Sequence, residues 1–96
     1  MAVVVVFQGS GFTQENYEES VRLLTGGGRL ESPGDWPVEG LLTHAAGQGE
    51  DGFRVVDVWE SAAAFQQFGE TLVPILQDLG VEGEPEVYPA HTYVSA

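Results

Sequence analysis

The stretch Gly-Phe-Arg-Val-Val-Asp-Val-Trp-Glu-Ser-Ala-Ala-Ala-Phe-Gln-Gln-Phe, residues 52–68, decides the predicted fold because its side-chain pattern changes period within it. Over residues 53–60 the side chains alternate with the period of two that a β-strand requires. Ser61 then suits the N-cap of a helix, and the aromatic pair Phe65 and Phe68 at i, i+3 would fold back over the sheet. One strand feeding one helix is therefore predicted.

One position of this predicted strand breaks its apolar pattern. Asp57 lies between Val55 and Trp59, on the face where the alternation predicts burial. A carboxylate in apolar surroundings is costly unless it is paired or protonated. Two interpretations stay open: a general acid or base in a pocket, or a structural aspartate paired with a neighbouring hydroxyl, histidine or arginine.

Length and composition limit the classes of function. The 96 residues form one predicted domain, 1–96, with 15 acidic residues, three arginines and no lysine, for a formal net charge of −12. Binding to a nucleic-acid backbone or to an anionic membrane needs clustered cations, so both partners are disfavoured. The acidic residues are scattered, which favours a role in solubility.

The chain contains no cysteine, which excludes disulfides, thiolate nucleophiles and cysteine-ligated metal sites. The apolar run at its start is too short to span a membrane and has no positively charged flank. It is predicted to be the first strand rather than a signal peptide, and a cytoplasmic protein is expected.

Local patterns predict the remaining elements. Thr13 is expected to cap a helix over residues 14–25. The helix that begins at Ser61 is expected to stop at Gly69, and Thr71 to cap a second short helix with a proline in its first turn. Four strands are predicted, over residues 2–8, 38–46, 53–60 and 86–94. Turn chemistry predicts loops over residues 9–11, 26–37, 47–52 and 80–85.

This order of elements, βαββαβ, predicts the ferredoxin-like α+β fold with an antiparallel sheet of strand order 4-1-3-2. Pro89 fits an edge position for the fourth strand. Both helices would cover one face of the sheet, while the other face carries the apolar first strand together with Val56 and Val58. An exposed apolar face indicates a partner, and a second copy is the simplest, so a face-to-face homodimer is predicted.

The junction Asp-Val-Trp-Glu-Ser at residues 57–61, followed by Ala64 and Phe65, resembles the strand-to-helix junction of the antibiotic biosynthesis monooxygenase family within the dimeric α/β barrel superfamily. The likeness covers nearly the whole chain and extends to small uncharacterised members of actinobacterial type. It implies a dimeric α/β barrel with a ligand cavity between the helices and the sheet of each protomer. Members include cofactor-free monooxygenases acting on aromatic polyketides and quinols, haem-degrading enzymes, polyketide cyclases and muconolactone isomerases.

The resemblance also implies site residues. In haem-degrading members a tryptophan at the position of Trp59 faces the haem, together with an asparagine on the first strand and a histidine on the second helix. Gln8 is the counterpart of that asparagine, and no histidine occurs between Gly52 and Ala90. The missing histidine disfavours haem degradation, and no cofactor is expected.

Three residues are the predicted proton-transfer groups: Asp57, His44 and His91. The two histidines fall on the second and fourth strands, at the two edges of the predicted sheet. Each is either a hydrogen-bonded structural residue or a group within reach of a phenolic or enolic substrate. No helical ligand spacing supports a metal site, so none is expected.

An aromatic wall is predicted, which would be either core or the lining of a cavity. A lining of this kind suits a flat aromatic or polyketide-like ligand. The predicted substrate-binding residues are Gln8, Tyr17, Trp59, Phe65, Phe68 and Tyr93, with Phe12 in the same wall. Trp36, in the loop before the second strand, is either a lid or a plug over a core edge, and the plug is favoured.

Two functions follow from these features. The first is a small-molecule-binding dimeric α/β barrel that acts as a cofactor-independent monooxygenase or cyclase on an aromatic or polyketide-like substrate. The protein would then deprotonate and orient its substrate and exclude water. The alternative is a non-catalytic binding or structural homodimer whose cavity is filled by its own side chains.

Overall fold

A computed structural model describes residues 1–8, 12–28, 35–50, 52–81 and 85–94. These residues form six elements in the predicted order: β1 (Val3–Gln8), α1 (Gln14–Leu24), β2 (Leu41–Gly49), β3 (Gly52–Trp59), α2 (Ala62–Asp78) and β4 (Glu86–Pro89). The predicted loop at 9–11 lies outside the described residues, as do residues 29–34 of the loop predicted at 26–37, residue 51 of the hairpin loop, and residues 82–84 of the loop predicted at 80–85. Within the described part, no helix has both the length and the apolar character needed to cross a membrane.

The four strands form one antiparallel sheet in the order β2-β3-β1-β4, which confirms the ferredoxin-like α+β topology. The apolar strand β1 is central and pairs with β3, with Val5 opposite Asp57. β4 lies at an edge, as Pro89 predicted, because a proline has no backbone N–H to donate to a further strand.

The two helices cover one face of the sheet, and the core lies between them and that face. Every second residue of β1 and of β3 is buried there. Trp59 and Phe68 are the largest fully buried side chains, and they belong to one apolar cluster. A second cluster contains Phe7, Phe12 and Phe53 and lies nearer the start of α1.

The other face of the sheet, called here the open face, carries the alternate residues of the same strands. Val4 lies opposite Val58 and Val6 opposite Val56, so four valines form the centre of this face. Val56 is 36% exposed. Toward one end, the guanidinium of Arg54 donates to the side-chain oxygen of Gln8. The open face therefore has an apolar centre, as the sequence predicted.

The prediction of two helices after β3 is wrong, because α2 continues without a break from Ala62 to Asp78. Gly69 and Pro74 both lie inside it. Glycine in a helix interior costs about 1 kcal/mol relative to alanine, whereas fully burying one large apolar side chain gains about 1.5–3 kcal/mol. The apolar stripe keeps its helical phase across the glycine, through Phe65, Phe68, Leu72 and Ile75.

Three strand ends also differ by three residues or more from their predicted positions. β2 begins at Leu41 rather than at residue 38 and continues to Gly49, which shortens the hairpin turn. β4 ends at Pro89 rather than at residue 94. Pro89 pairs with Val3, the first residue of β1, so the residues that follow run past the end of their partner strand. A last hydrogen bond joins the N–H of Ala90 to the carbonyl of Ala2.

Candidate active site

The pairing of β2 with β3 places His44 directly opposite Asp57. Leu41 pairs with Trp59, and an uninterrupted ladder from that pair would put His44 opposite Val56, on the open face. A bulge between Leu41 and Thr43 inserts one extra residue, which turns His44 to the helix-covered face. The bulge thus brings the histidine and the buried carboxylate together.

Four side chains form a continuous hydrogen-bonded chain, which is called here the relay. The Nε1–H of Trp59 donates to Oδ2 of Asp57 over 3.2 Å. The other carboxylate oxygen, Oδ1, lies 2.6 Å from Nδ1 of His44. At the far end, Nε2 of His44 lies 2.6 Å from the hydroxyl of Tyr17.

The donors and acceptors of the relay follow from its chemistry. The Asp57 carboxylate can only accept, so Nδ1 of His44 carries the proton of that hydrogen bond. In the neutral imidazole, Nε2 is then the acceptor, and the hydroxyl of Tyr17 donates to it. His44 therefore presents a basic nitrogen toward α1, while Asp57 fixes the tautomer.

The carboxylate end of the relay is buried, Tyr17 and His44 are half-buried, and both carboxylate oxygens are used. Asp57 is 5% exposed and Trp59 is fully buried. A buried carboxylate is tolerated when it is paired and hydrogen bonded. Both interpretations of Asp57 drawn from the sequence remain compatible with this geometry, since the partner is the histidine of the neighbouring strand.

Tyr17 reaches the relay from the first turn of α1. The side chain of Thr13 caps the helix at the N–H of Asn16, and the side chain of Asn16 accepts from the N–H of Thr13 in return. This reciprocal cap fixes the start of the helix and directs Tyr17 over the sheet. Its ring stacks on His44, with centroids 5.8 Å apart and an interplanar angle of 12°. Burial, followed by the negative charge of Asp57, raises the pKa of Tyr17 above its ordinary value.

A cavity of about 50 Å³ lies between α1, α2 and the sheet, at the Tyr17 end of the relay. Small-molecule sites usually have volumes of about 300–1,000 Å³, so this cavity is closed to a ligand in the present conformation. Its lining is largely apolar, and the residues that form it are Phe7, Phe12, Tyr17, Ser20, Leu24, Trp36, His44, Val55, Phe68, Leu72 and Leu76.

Trp36 closes one side of this cavity and is 8% exposed. Its ring lies 5.3 Å from that of His44 and 5.4 Å from that of Phe68. This burial is what either the predicted plug or a closed lid would give. Its Nε1 is buried and has no hydrogen-bond partner within the described residues. Leaving one buried donor unpaired costs about 1–3 kcal/mol.

The structure brings five of the predicted site residues together: Tyr17, His44, Asp57, Trp59 and Phe68. Trp59 lies beneath the cavity rather than in its wall, and it packs edge-on against Phe65. Ser20 was missed by the sequence prediction. Its hydroxyl donates to the carbonyl of Tyr17 over 2.7 Å, and no local pattern distinguishes it from other serines on a helix.

Three predicted site residues lie elsewhere. His91 and Tyr93 are exposed and follow β4, at the edge of the sheet opposite β2. Because β4 ends early, neither reaches the cavity lining. Gln8 lies on the open face with Arg54, since the alternation along β1 points it away from Asp57.

A larger and shallower depression, about 450 Å³, lies at the hairpin end of the open face. Glycines and alanines of β2 form much of it, and its charged lining residues, Glu50 and Arg54, are exposed. The smaller cavity is the better candidate site because two titratable residues of the relay, Tyr17 and His44, line it. Among the residues that the structure describes, no three histidine, aspartate or glutamate side chains cluster as metal ligands.

The sequence matches no family model and none of the curated proteins. Its fold is similar to that of several solved structures. A single-residue variant of SnoaB, a cofactor-independent oxygenase from Streptomyces nogalater, aligns with a TM-score of 0.59 at 14% identity, over 99% of this chain and 96% of that chain. A candidate antibiotic biosynthesis monooxygenase from Deinococcus radiodurans aligns with a TM-score of 0.56 at 13% identity, over 100% and 98%.

A candidate monooxygenase from Shewanella loihica PV-4 gives a TM-score of 0.55 at 18% identity, over 96% of this chain and 95% of that chain. At identities this low, the structural similarity shows the fold alone. It confirms the resemblance drawn from the junction at residues 57–61: the chain has the fold of the antibiotic biosynthesis monooxygenase-type proteins.

Proposed function

We propose that this protein is a cofactor-independent monooxygenase acting on a planar aromatic substrate that carries an acidic hydrogen. The observation that carries the proposal is the Tyr17–His44–Asp57–Trp59 relay, which ends at an apolar, aromatic-lined cavity. Similarity of fold to SnoaB, a cofactor-independent oxygenase, supports it. Fold alone does not determine a reaction, and the relay supplies the groups that could transfer a proton.

His44 is the proposed general base. Its Nε2 carries the basic electron pair of the neutral imidazole, and His44 lines the cavity. Asp57 would hold the reactive tautomer and stabilise the imidazolium that forms when the proton is taken. Trp59 would keep the carboxylate in place through its N–H.

Substrate entry requires a change at Tyr17. Its hydroxyl occupies Nε2 of His44, and its ring fills part of the space between α1 and the sheet. Turning Tyr17 aside would both free the base and enlarge the cavity. Because its raised pKa keeps it neutral at ordinary pH, Tyr17 would leave as an uncharged hydroxyl.

The reaction balances without an external reductant. His44 removes one hydrogen of an acidic CH₂ group as a proton, and the carbanion passes two electrons to dioxygen as a carbon–oxygen bond forms. The resulting hydroperoxide loses water, taking the second hydrogen, and leaves a carbonyl group. One oxygen atom ends in the product and the other in water, and the apolar lining would limit competing reactions with solvent.

Oxygen uptake with anthrone as the probe substrate tests the proposal. We expect Asp57→Asn and His44→Gln to lower the rate roughly 10²- to 10⁴-fold, by analogy with loss of the orienting aspartate or the base in a catalytic triad. His91→Gln is the matched control, because it removes the other histidine, which is exposed. Wild-type rates in Asp57→Asn and His44→Gln, with both variants folded, would reject the proposal.

A non-catalytic binding or structural role is the second candidate, and the small volume of the cavity favours it. In that case the relay is a satisfied hydrogen-bond network that fixes the packing of α1 on the sheet. Wild-type protein would then consume no oxygen above the buffer rate, and Asp57→Asn would lower the stability, because the new amide sets a donor against the N–H of His44 or of Trp59.

For either function we propose a homodimer through the open face. Four valines, which pair as Val4 with Val58 and Val6 with Val56, form its centre. Tyr88 extends the same face onto β4, where it lies opposite Val4 and is 46% exposed. A second copy would cover these side chains with an equally apolar surface.

A further inference from the structure

The indole N–H of Trp36 is the unexplained polar group of the candidate site. Trp36 is 8% exposed, its ring lines the cavity, and its Nε1 has no partner within the described residues. Buried polar groups are nearly always hydrogen bonded, so an unpaired donor beside a cavity indicates an acceptor that arrives from outside the chain.

The position of Trp36 limits what that acceptor is. Its ring centroid lies 5.3 Å from that of His44, the proposed base. The ring of Phe68 also packs against Trp36, with centroids 5.4 Å apart. A ligand that presents an acidic group to His44 therefore places the ring that carries this group, or the ring next to it, beside the indole.

We propose that Nε1 of Trp36 donates a hydrogen bond to a carbonyl oxygen of the aromatic ligand, and so selects ligands that carry a carbonyl close to their acidic group. The inference rests on the proposed function, since it places the ligand in the same cavity. It assigns Trp36 a role in specificity that is separate from proton transfer. Quinones and aromatic ketones are the ligand class that fits this donor.

A trapped water is the competing acceptor, and the lining disfavours it. A buried water usually makes about three hydrogen bonds. Besides Trp36, the described polar side chains of the lining are Tyr17, Ser20 and His44. The hydroxyl of Tyr17 is bound to His44, and the hydroxyl of Ser20 donates to the carbonyl of Tyr17. A flat ligand instead needs one donor and an aromatic wall, which is what the cavity offers.

Nuclear magnetic resonance of the indole N–H groups tests this directly. The chain has two tryptophans and therefore two indole N–H signals, and Trp36→Phe identifies the signal of Trp36. The probes are juglone, a naphthoquinone with a hydroxyl beside a carbonyl, and naphthol, which has the hydroxyl alone. The chain has no cysteine or lysine with which the quinone could react. Juglone should shift the Trp36 signal to higher frequency, whereas naphthol should not.

Calorimetric binding of the same probes supplies the second readout. Trp36→Phe should weaken the binding of juglone about tenfold, which corresponds to one net hydrogen bond. It should change the binding of naphthol much less. Phe68→Leu is the control for lost packing, because it should weaken both probes in similar proportion.

The inference would be overturned if Trp36→Phe lost the same fraction of its affinity for both probes. It would also be overturned if the Trp36 indole signal did not move when juglone is bound. Equal losses would still place both probes against Trp36 in the cavity, so the proposed function would survive that result. If neither probe binds wild-type protein, the proposed aromatic ligand is wrong, and this inference fails with it.

Discussion

Gly40 lies directly before β2 and packs against the start of α2. Its φ is +114°, and a Cβ built there would lie 2.6 Å from the Cβ of Ala64. Its carbonyl accepts from the N–H of Glu60 over 2.8 Å. Only glycine combines this conformation with this close approach, and the bulge that orients His44 follows directly.

Replacing Gly40 with alanine should destabilise the fold. We expect the free energy of unfolding in urea to fall by roughly 1–3 kcal/mol, the usual cost of a side chain forced into a sparsely populated backbone conformation. Gly47→Ala is the matched control, because a Cβ at Gly47 meets nothing within 4 Å. If both variants unfold at the same urea concentration, Gly40 is not a constrained position.

Tyr17 should contribute stability that disappears at high pH. Burial and the charge of Asp57 raise its pKa in the folded chain, so the folded state holds the phenolic proton more tightly than the unfolded state. Its contribution is complete below the unfolded pKa and is lost as the pH rises through the raised native pKa. The chain has no lysine to titrate over the same range.

Urea unfolding as a function of alkaline pH measures this contribution. The free energy of unfolding should fall more steeply in wild-type protein than in Tyr17→Phe. Tyrosinate absorbance gives an independent check, since the difference between the two proteins isolates Tyr17. Identical alkaline slopes would show that Tyr17 is not linked to folding.

The chemical character of the relay could be predicted from sequence, but its geometry could not. Asp57 is conspicuous because a carboxylate occupies a buried position of an alternating strand. Its pairing with His44 depends on the register of the hairpin and on the bulge after Leu41, and a shift of one residue moves a side chain to the other face. Gln8 shows the same limit, since its likeness to a family position does not fix the face it occupies.

At the scale of elements, α2 shows how packing overrides a local signal. Gly69 lies inside the helix, and a Cβ there would meet nothing within 4 Å. Gly80 ends the helix with a φ of +74°, and the N–H groups of Gly80 and Val81 bond back to the carbonyls of Gln77 and Leu76. Gly69 therefore destabilises the helix, and Gly80 terminates it.

The two glycines should respond in opposite directions to alanine. Gly69→Ala should raise the free energy of unfolding by roughly 0.5–1 kcal/mol, because alanine is the better residue in a helix interior. Gly80→Ala should lower it, because alanine is strained in the left-handed conformation. Thermal unfolding of both variants checks the pair, and a loss of stability in Gly69→Ala would argue against a continuous α2.

The order of the elements and the topology of the sheet could be predicted, because each strand and helix has its own periodicity. The ends of the elements could not, since they depend on partners that are distant in sequence. β4 stops where β1 begins, and β2 extends because Gly49 pairs with Gly52 across the hairpin.

At the scale of the whole molecule, the proposed dimer predicts that the open face is buried in solution. Val56→Glu places a charge at the centre of that face, so we expect sedimentation analysis to show monomers in place of dimers. Val73→Glu changes the net charge equally, but on α2, where Val73 is 50% exposed. The control should remain dimeric. A wild-type monomer, or a dimer unaffected by Val56→Glu, would contradict the proposed interface.

The central claim is that His44, held by Asp57, removes a proton from an aromatic substrate. Deuterium exchange at the methylene carbon of anthrone, followed by nuclear magnetic resonance in heavy water without oxygen, isolates that step from the oxygenation. We expect exchange well above the buffer rate with wild-type protein, and a return to the buffer rate with His44→Gln. Exchange at the buffer rate with wild-type protein, or undiminished exchange with folded His44→Gln, would contradict it.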